Sequence, residues 1–359
     1  QGFLPELMEK MYTERVVYKK KAIEAKIEYQ KTKDPIYSNE ISRCHNIQMA
    51  KKISLNSAYG AIGNQYFRYF DVKQAEAITL GGQLSIRWVE RDVNRFMNKL
   101  LGTDNKNYVV ASDTDSIYLK LDTLVEKVCK GKSTKQIVDF LNKAAEEKIQ
   151  KVIDDSYENL ANYVNAYQQK MIMKREAIAN KGIWVAKKRY MMNVFDEEGV
   201  RYDIPKLKIM GVEAVKSSTP EVCRGKIKDA IRVIMNDSED ALIKFVNDFK
   251  EVFMTLSPEE VAFPRSCNNV NKYIDSNSIY KKGTPIHVKG ALIYNHNISK
   301  HKLGMKYPYI QDGDKIKFLM LKQPNTVKDT VISFSTKIPY EFELHKYVDY
   351  DTQFEKTFT

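Results

Sequence analysis

The chain has 359 residues, of which 43% are hydrophobic and 29% charged, and its net charge is +12. These values are typical of a soluble globular protein with two or three subdomains, and no apolar run reaches the length of a membrane span. The positive charge predicts a polyanionic partner, which by charge alone is either nucleic acid or an anionic membrane. The missing span and the lack of a signal-peptide pattern weaken the membrane alternative.

The four cysteines give information about the compartment. Cys44, Cys129, Cys223 and Cys267 lie far apart and form no CxxC pair. They therefore predict free thiols in a reducing compartment rather than disulfide bonds or a zinc site. Together with the lack of a signal-peptide pattern, this predicts a cytoplasmic protein.

Two long helices are predicted at the start of the chain. The first runs from about residue 5 to 33 and the second from about residue 39 to 59. The first stretch lacks internal glycine and proline and places apolar residues at roughly helical spacing. Because only a short break at Asp34-Pro35 separates the two, we expect an antiparallel helical hairpin.

One face of the second helix carries an unusual set of residues. Lys52, Asn56 and Tyr59 recur at i, i+4 and i+7 and therefore share that face. Lysine binds phosphate as a point charge, and Tyr59 with Gly60 could shape a pocket for a base pair. The simpler interpretation, a helix end capped by Gly60, does not exclude this one.

A third, amphipathic helix is predicted from about Ala75 to Leu101, with Gly102 as its C-cap. Its predicted core-facing residues are Leu84, Trp88, Phe96 and Leu100. This helix leads directly into the next stretch.

Residues 108–121 predict a β-hairpin with Asp113 and Asp115 at its tight end. Apolar, aromatic and β-branched residues lie on both sides of a short polar turn. Two carboxylates one residue apart repel each other unless a cation neutralises them. Mg²⁺ suits such hard oxygens and is usually bound by one or two carboxylates together with waters and substrate phosphates. An ordinary acidic turn uses the same residues, so this pattern alone does not decide between the alternatives.

Residues 133–170 are predicted to be helical and charged, which is typical of an outer layer that covers a sheet. The next informative run, from Lys181 to Tyr190, is strand-like. It mixes aromatic residues with three consecutive cations, Lys187, Lys188 and Arg189. This combination is expected where a sheet meets a nucleic-acid backbone, and it makes a merely solvated basic strand the less favoured alternative.

Beyond Gly211 the pattern indicates a separate α+β module. Helices are predicted at about 221–235 and 239–256, a capping box begins at Ser257, and strands are predicted at 286–292 and 315–321, the latter after an Asp312-Gly313 turn. Lys289 and the histidines His287, His296 and His301 could contact phosphates. The histidines fit no metal-ligand spacing, and packing or surface roles are favoured for each histidine.

Three of these stretches together resemble the C-terminal half of family B DNA polymerases, above all those of T-even-type bacteriophages. Lys52-x-x-x-Asn56-Ser57-x-Tyr59-Gly60 resembles the fingers motif, Asp113-Thr-Asp115-Ser116 the palm metal motif, and Lys187-Lys-Arg-Tyr190 the primer-template motif. Their order and spacing are far more specific than any single motif. The resemblance also includes residues 15–19, 174–176 and 207–211 and spans essentially the whole chain.

The resemblance implies an α+β fold. Its parts would be helical-hairpin fingers at 1–64, an incomplete antiparallel-sheet palm with packed helices at 65–212, and an α+β thumb at 213–359. It also implies template-directed addition of deoxynucleotides to a primer 3′-OH, with Mg²⁺ in a two-metal mechanism. Asp115 and Asp113 would be the metal-binding and catalytic carboxylates, and Glu176 a further acidic residue beside them.

The resemblance assigns binding residues as well. Arg15, Lys19 and Lys52 would bind the incoming dNTP, while Asn56 supports its pocket and Tyr59 lies against the nascent base pair. The residues that would hold primer-template DNA are Lys187, Lys188, Arg189 and Tyr190, and we add Lys289 as a further phosphate contact.

We expect the chain to act together with an N-terminal polymerase and exonuclease part. The family's first palm motif, which carries the other metal-binding aspartate, is not found in this sequence, so Asp113 and Asp115 form one side of the centre. Further expected partners are primer-template DNA, dNTP and a sliding clamp, although the apolar clamp-binding tail is not found either. For a phage enzyme the expected location is the host cytoplasm. The alternative is a non-catalytic primer-template-binding fragment, and the resemblance disfavours an RNA-making enzyme.

Overall fold

The computed structural model describes residues 2–275 and 278–358. Its helices and small β-sheets agree with the predicted α+β class. The chain divides into two units, one formed by residues 1–181 and 193–206 and the other by residues 182–192 and 207–359. Within the described residues, no helix is long and apolar enough to cross a membrane. The division into fingers, palm and thumb stays a prediction.

Two long helices open the first unit and pack against each other as a hairpin, as predicted. Helix α1 spans Phe3–Thr32 and helix α2 spans Pro35–Ile62. Asp34 caps α2, because its carboxylate accepts a hydrogen bond from the Ile36 N–H at 2.9 Å. The predicted cap at Gly60 is wrong. Helix α2 continues through this glycine, which does not adopt the left-handed conformation of a cap, and its C-cap is Gly63.

Helix α3 spans Val72–Leu101 and ends at Gly102, whose φ of 64° is left-handed, as predicted. Its predicted core face is partly wrong, since Leu84 is 40% and Leu100 52% exposed. The buried residues form one stripe with four-residue spacing, which packs toward helix α6 (Gln150–Tyr163): Ser85, Val89, Val93, Met97 and Leu101. Leu84 and Leu100 each lie one position before this stripe, so position rather than size decides their exposure.

Strands β1 (Val109–Asp113) and β2 (Ser116–Leu119) pair in antiparallel fashion and form the predicted hairpin. Three helices follow, namely α4 (Asp122–Val128), α5 (Thr134–Ala144) and α6, with a π-helical turn at Ala145–Ile149 between the last two. The helical region was predicted to reach residue 170, but α6 ends at Tyr163. Asn165 adopts a left-handed φ of 51° there, which a helix does not continue through.

A three-stranded sheet contributes residues to both units. Its strands β3 (Ala177–Ala186), β4 (Arg189–Glu197) and β5 (Val200–Met210) lie in chain order. The strand-like run predicted over residues 181–190 is confirmed at 181–186 and at 189–190, but a turn interrupts it at 187–188. Lys187 and Lys188 form the turn between β3 and β4, and the φ of 61° at Lys188 reverses the chain.

The second unit ends in an α+β module built around one hydrophobic core. Its helices are α7 (Glu221–Asn236), α8 (Glu239–Phe253), the single turn α9 (Pro258–Val261), α10 (Ile286–Lys300) and α11 (Tyr350–Phe358). Its strands β6 (Phe263–Ser266), β7 (Lys315–Met320) and β8 (Val331–Phe334) form an antiparallel sheet. The capping box of Ser257 and Glu260 is confirmed, as are the strand after Asp312-Gly313 and both helices before residue 257.

The predicted strand at 286–292 is wrong, because these residues begin helix α10. A short apolar run does not distinguish a strand from a helix that is buried on most sides. Helix α10 packs closely on β8, and a Cβ added at Gly290 would lie 2.8 Å from the Ser333 backbone nitrogen. Glycine at this position therefore allows the close contact between helix and sheet.

All four cysteines are free thiols, as predicted, and all four are buried. Burial raises the pKa of Cys223 and the pKa of Cys267 to about 11. Thiols with such pKa values stay protonated at neutral pH and act as small apolar core residues.

Candidate active site

The β1–β2 hairpin fixes the two aspartates through its turn. Asp113 pairs with Ser116 across the hairpin, so Thr114 and Asp115 form a two-residue loop, with Thr114 at a φ of 56°. The Asp115 N–H donates to the Asp113 carbonyl oxygen at 2.6 Å, and the Ser116 hydroxyl donates to the same oxygen at 3.1 Å. The side chain of Asp115 is thereby exposed at the tip, while Asp113 is half-buried.

Two helices hold the base of this hairpin. The side-chain oxygen of Asn94, on α3, accepts hydrogen bonds from the N–H groups of Tyr108 at 2.8 Å and Val109 at 3.0 Å. On α6, burial raises the pKa of Tyr157, and the negative charge of Asp115 raises it further. Tyr157 therefore stays a neutral phenol near Asp115. The hairpin and the residue before it contribute to the same hydrophobic core as Tyr157: Tyr108, Val109, Ile117 and Leu119.

The donor chemistry at the hairpin tip fits a magnesium ion that is shared with a phosphate ligand. Asp113 and Asp115 offer hard carboxylate oxygens, and Mg²⁺ is usually bound by one or two carboxylates together with waters and substrate phosphates. Within residues 2–275 and 278–358, no group of three or more His, Cys, Asp and Glu side chains is arranged to hold a metal ion. The pair therefore fits an open site rather than a closed structural one.

The predicted nucleotide-binding face of α2 is exposed as expected. The side chains of Lys52, Asn56 and Tyr59 all reach solvent, and the Tyr59 hydroxyl shares a hydrogen bond with the Thr79 hydroxyl of α3 at 2.7 Å. Arg15 of α1 is half-buried. Its buried Nε has no hydrogen-bond partner among the described residues, and it therefore remains a donor that a ligand could satisfy.

The structure links two predicted site residues, Lys19 and Glu176, through a residue that the sequence did not indicate. Lys19 forms an ion pair with Glu198, which lies in the turn between β4 and β5 at a φ of 54°. The Glu198 N–H donates to the Glu176 carbonyl oxygen at 2.7 Å. The Glu198-Gly199 pair is a turn signal in the sequence, but its cationic partner is 179 residues away in the chain.

In the basic segment of residues 187–190, the first two side chains are exposed and the last two are held by other side chains. Lys187 and Lys188 are exposed in the β3–β4 turn, whereas Arg189 forms an ion pair with Glu213. The Tyr190 side chain is buried and stacks on Trp184, with 6.1 Å between ring centroids and 26° between ring planes. The turn thus presents two ammonium groups on a rigid support.

The sequence matches the family model of DNA polymerase family B over residues 1–356. The chain belongs to DNA polymerase family B. This membership confirms the resemblance that the three motifs indicated.

Among curated relatives, this family B chain is 39% identical over 326 residues to the DNA-directed DNA polymerase of Escherichia phage RB69. It is 35% identical over 325 residues to that of Enterobacteria phage T4. Each match covers 87% of the chain and 36% of the relative. DNA polymerase 1 of Pyrococcus abyssi (strain GE5 / Orsay) is 27% identical over 263 residues, which is 72% of the chain and 27% of that protein. The chain thus spans about a third of the length of its phage relatives.

A buried ion cluster holds the segment of this family B chain that carries Glu176. Asp196 is 1% exposed, and one of its carboxylate oxygens accepts hydrogen bonds from Arg175 and from the Gly199 N–H at 3.0 Å. Its other oxygen forms an ion pair with Arg201, whose Nε is 2.6 Å away. Arg201 also pairs with Asp139 at 3.0 Å. Sequence reasoning missed this cluster, because its members are far apart in the chain and a buried aspartate has no local signature.

Lys289 lies on α10 and is held by an internal ion pair. Its Nζ is 2.7 Å from an Asp329 carboxylate oxygen and 4.8 Å from the centroid of the Tyr280 ring. Burial also lowers the pKa of His287, and the nearby charge of Arg265 contributes, so His287 stays neutral at physiological pH. A contact between Lys289 and DNA stays a prediction, and its local role here is to neutralise Asp329.

Proposed function

We propose that this chain carries out template-directed DNA synthesis as the C-terminal part of a DNA-directed DNA polymerase. The observation that carries the proposal is the Asp113/Asp115 pair at the end of a rigid hairpin, in a chain that matches its family over residues 1–356. Its relatives of phages T4 and RB69 are named DNA-directed DNA polymerases. In this proposal, residues 1–64, 65–212 and 213–359 are the fingers, palm and thumb.

Asp113 and Asp115 would hold Mg²⁺ at the hairpin tip, with Glu176 as a further carboxylate of the site. When bound, the ion neutralises negative charge on the triphosphate and makes the primer 3′-OH a better nucleophile. The protein groups supply positioning and charge, on which phosphoryl-type transfer mainly depends.

The two helices of the fingers would position the nucleotide. Lys52 and Arg15, whose Nε has no hydrogen-bond partner among the described residues, bind the phosphates of the dNTP. Lys19 joins them when it leaves Glu198. Asn56 and Tyr59 lie on the same exposed face of α2 as Lys52. Asn56 supports the nucleotide pocket, and Tyr59 lies against the nascent base pair. The shared hydrogen bond to Thr79 sets the direction of the Tyr59 ring.

The Lys187-Lys188 turn would bind the primer-template backbone. Lysines bind phosphates without reading sequence, which suits a polymerase that must accept every template. Arg189 and Tyr190 contribute through their contacts with Glu213 and Trp184, which hold the turn in place. Binding of this kind releases counterions and weakens with added salt.

An N-terminal polymerase part would complete the centre. The phage relatives extend well beyond the aligned region, which is 36% of their length, and we propose that the segment before this region supplies the second metal-binding carboxylate. A sliding clamp is a further proposed partner, on the family resemblance alone.

The test is primer extension with the chain, with a separately produced N-terminal part, and with both together. We expect extension only when both are present. Asp115→Asn should abolish it and leave the affinity for primer-template DNA unchanged within about twofold, because this carboxylate would hold the metal ion at the reacting phosphates rather than contact the duplex. Asp104→Asn is the matched control. Asp104 is exposed, as Asp115 is, but it lies before β1 and away from the hairpin turn.

If the reconstituted pair binds primer-template DNA without extending it, the chain is a non-catalytic DNA-binding fragment. Equal activity of the Asp115→Asn and Asp104→Asn variants would likewise exclude the proposed catalytic role. Robust extension by the chain alone would reject the need for an N-terminal part.

A further inference from the structure

The Lys187-Lys188 turn lies unusually close to the segment that follows β5. Gly211, directly after β5, has a φ of 67°. A Cβ added at Gly211 would collide with the Lys188 carbonyl oxygen, and it would lie 3.1 Å from the Lys188 carbonyl carbon and 3.3 Å from the Arg189 Cγ. Glycine is required here both by the left-handed backbone and by the lack of space.

A second contact holds the same turn from the same segment. The Glu213 carboxylate accepts hydrogen bonds from the Arg189 guanidinium and from the Lys216 Nζ, the latter at 2.8 Å. Burial opposes ionisation of Glu213, but the hydrogen bond from Lys216 and the charges of Lys216 and Arg189 keep the pKa of Glu213 below its ordinary value. Glu213 is therefore a carboxylate at neutral pH and forms true ion pairs with both cations.

Glu213 is itself anchored. It begins a 3₁₀ turn, Glu213–Val215, in which Ala214 is 1% exposed. Ala214 packs in a small core with Val212, Met191 and Met235. A displacement of Glu213 would therefore disturb buried contacts, so the carboxylate is a fixed point for Arg189.

The strands on either side of the turn are also braced. A Cβ added at Gly182 would lie 2.8 Å from the Trp184 ring, so glycine allows this ring to lie over the β3 backbone. The same ring stacks on Tyr190 of β4. Both ends of the turn are thus restrained by side chains that need not touch a ligand.

We propose that Gly211 and Glu213 are positioning residues for primer-template binding, which fix the Lys187-Lys188 turn so that both ammonium groups meet the DNA backbone. The inference rests on the proposed function, in which this turn binds the duplex. A preordered turn loses less conformational entropy on binding than a mobile one, and it keeps both lysines in register with successive phosphates.

The test is the salt dependence of primer-template binding by the whole chain, measured by fluorescence anisotropy. Each lost phosphate contact lowers the slope of log K against log salt by about 1, so Gly211→Ala should lower it by about 1 to 2 and raise the Kd. Gly313→Ala is the matched control. Its φ is 88°, and in the described part of the chain no heavy atom lies within 4 Å of a Cβ added there. This variant should keep the slope of the parent.

A double-mutant cycle separates positioning from a general loss of structure. In a Lys187→Ala/Lys188→Ala background, Gly211→Ala should have no further effect on the Kd, because its effect passes through those lysines. An effect that adds in full to that of the lysine substitutions would overturn the inference. If Gly211→Ala does not fold, Glu213→Gln takes its place in the cycle with the same criterion.

The outcomes also distinguish this inference from the proposed function. Primer-template binding by the parent chain with no change in slope for Gly211→Ala would overturn the positioning role and leave the proposed function standing. Failure of the parent chain to bind primer-template DNA would reject the DNA-binding role of the turn, and the positioning role with it.

Discussion

Lys19 on helix α1 forms an ion pair with Glu198 in the turn between β4 and β5. The same glutamate donates its backbone N–H to the Glu176 carbonyl oxygen at 2.7 Å. Lys19, which is predicted to bind the triphosphate, is thus held by the Glu198 carboxylate. The backbone of Glu198 is in turn hydrogen-bonded to Glu176, a predicted acidic residue of the site. The triphosphate and Glu198 would compete for one ammonium group.

We predict that Glu198→Gln lowers the KM for dNTP in the reconstituted enzyme. The Lys19 and Glu198 side chains are 42% and 28% exposed, so solvent screens their attraction. Pairs of this kind contribute about 1 kcal/mol or less, which limits the decrease in KM to about fivefold. Steady-state extension kinetics at saturating primer-template DNA measure this change.

The control is Glu9→Gln, which removes a different ion pair of helix α1, that of Glu9 with Lys170 at 3.5 Å. This variant should keep the KM of the parent, because Lys170 is not a predicted phosphate ligand. An unchanged or higher KM for Glu198→Gln would mean that Glu198 does not compete with the nucleotide.

We predict that Asp196→Asn strongly destabilises the first unit. Asp196 is 1% exposed and neutralises the charge of Arg175, whose side chain is only 15% exposed. The substitution therefore leaves a buried guanidinium without its carboxylate. Breaking a buried pair in this way costs about 3 to 5 kcal/mol. Asp139→Asn is the control, since this 59% exposed partner of Arg201 should contribute about 1 kcal/mol or less. Urea unfolding, followed by circular dichroism, compares the two variants, and equal losses would contradict the assignment.

The hairpin and the long helices could be predicted because their signals are local. Asp113 and Asp115 stand between apolar runs of strand type, and Gly102 ends an amphipathic pattern, so neighbouring residues determine both features. The Lys187-Lys188 turn was missed because neither lysine is a typical turn residue. Its close contact with Gly211 is a tertiary feature that no local pattern reports.

Contacts between distant parts of the chain account for the other errors. The α3 stripe is set by the position of α6, and Leu84 lies just outside it in spite of its size. Helix α10 was mistaken for a strand because its apolar run is buried on most sides. The partners of Asp196 and Glu198 come from other elements, so their roles in the candidate site appear only when the chain is folded.

We predict that Asn94→Ala weakens the support of the β1–β2 hairpin, which carries Asp113 and Asp115. The Asn94 side-chain oxygen accepts hydrogen bonds from the backbone N–H groups of Tyr108 and Val109, both of which are buried residues. A buried donor left without an acceptor costs about 1 to 3 kcal/mol. We expect a lower melting temperature and a lower kcat at unchanged primer-template affinity. Asn107 is an exposed asparagine between α3 and β1, and Asn107→Ala should change neither quantity.

We predict that the free energy of unfolding falls as the pH rises from about 9 to 11, in part through Cys223 and Cys267. Burial raises the pKa of each folded thiol to about 11, above its ordinary value near 9. In this interval the unfolded thiols have lost protons that the folded thiols keep, so the unfolded state binds fewer protons and stability decreases with pH. The stabilisation is complete below pH 9 and is lost as the pH passes through 11.

Unfolding midpoints in urea between pH 8 and 11, measured for the parent and for a Cys223→Ala/Cys267→Ala variant, test this assignment. Other groups titrate in the same interval, but they are common to both proteins, so the difference between the two curves reports the thiols. The parent should lose more stability than the variant above pH 9, and both thiols should react with a disulfide reagent at pH 8 only after unfolding, because the thiolate is the reactive form. Parallel curves together with rapid labelling of the native protein would show that these cysteines are accessible rather than protonated in the core.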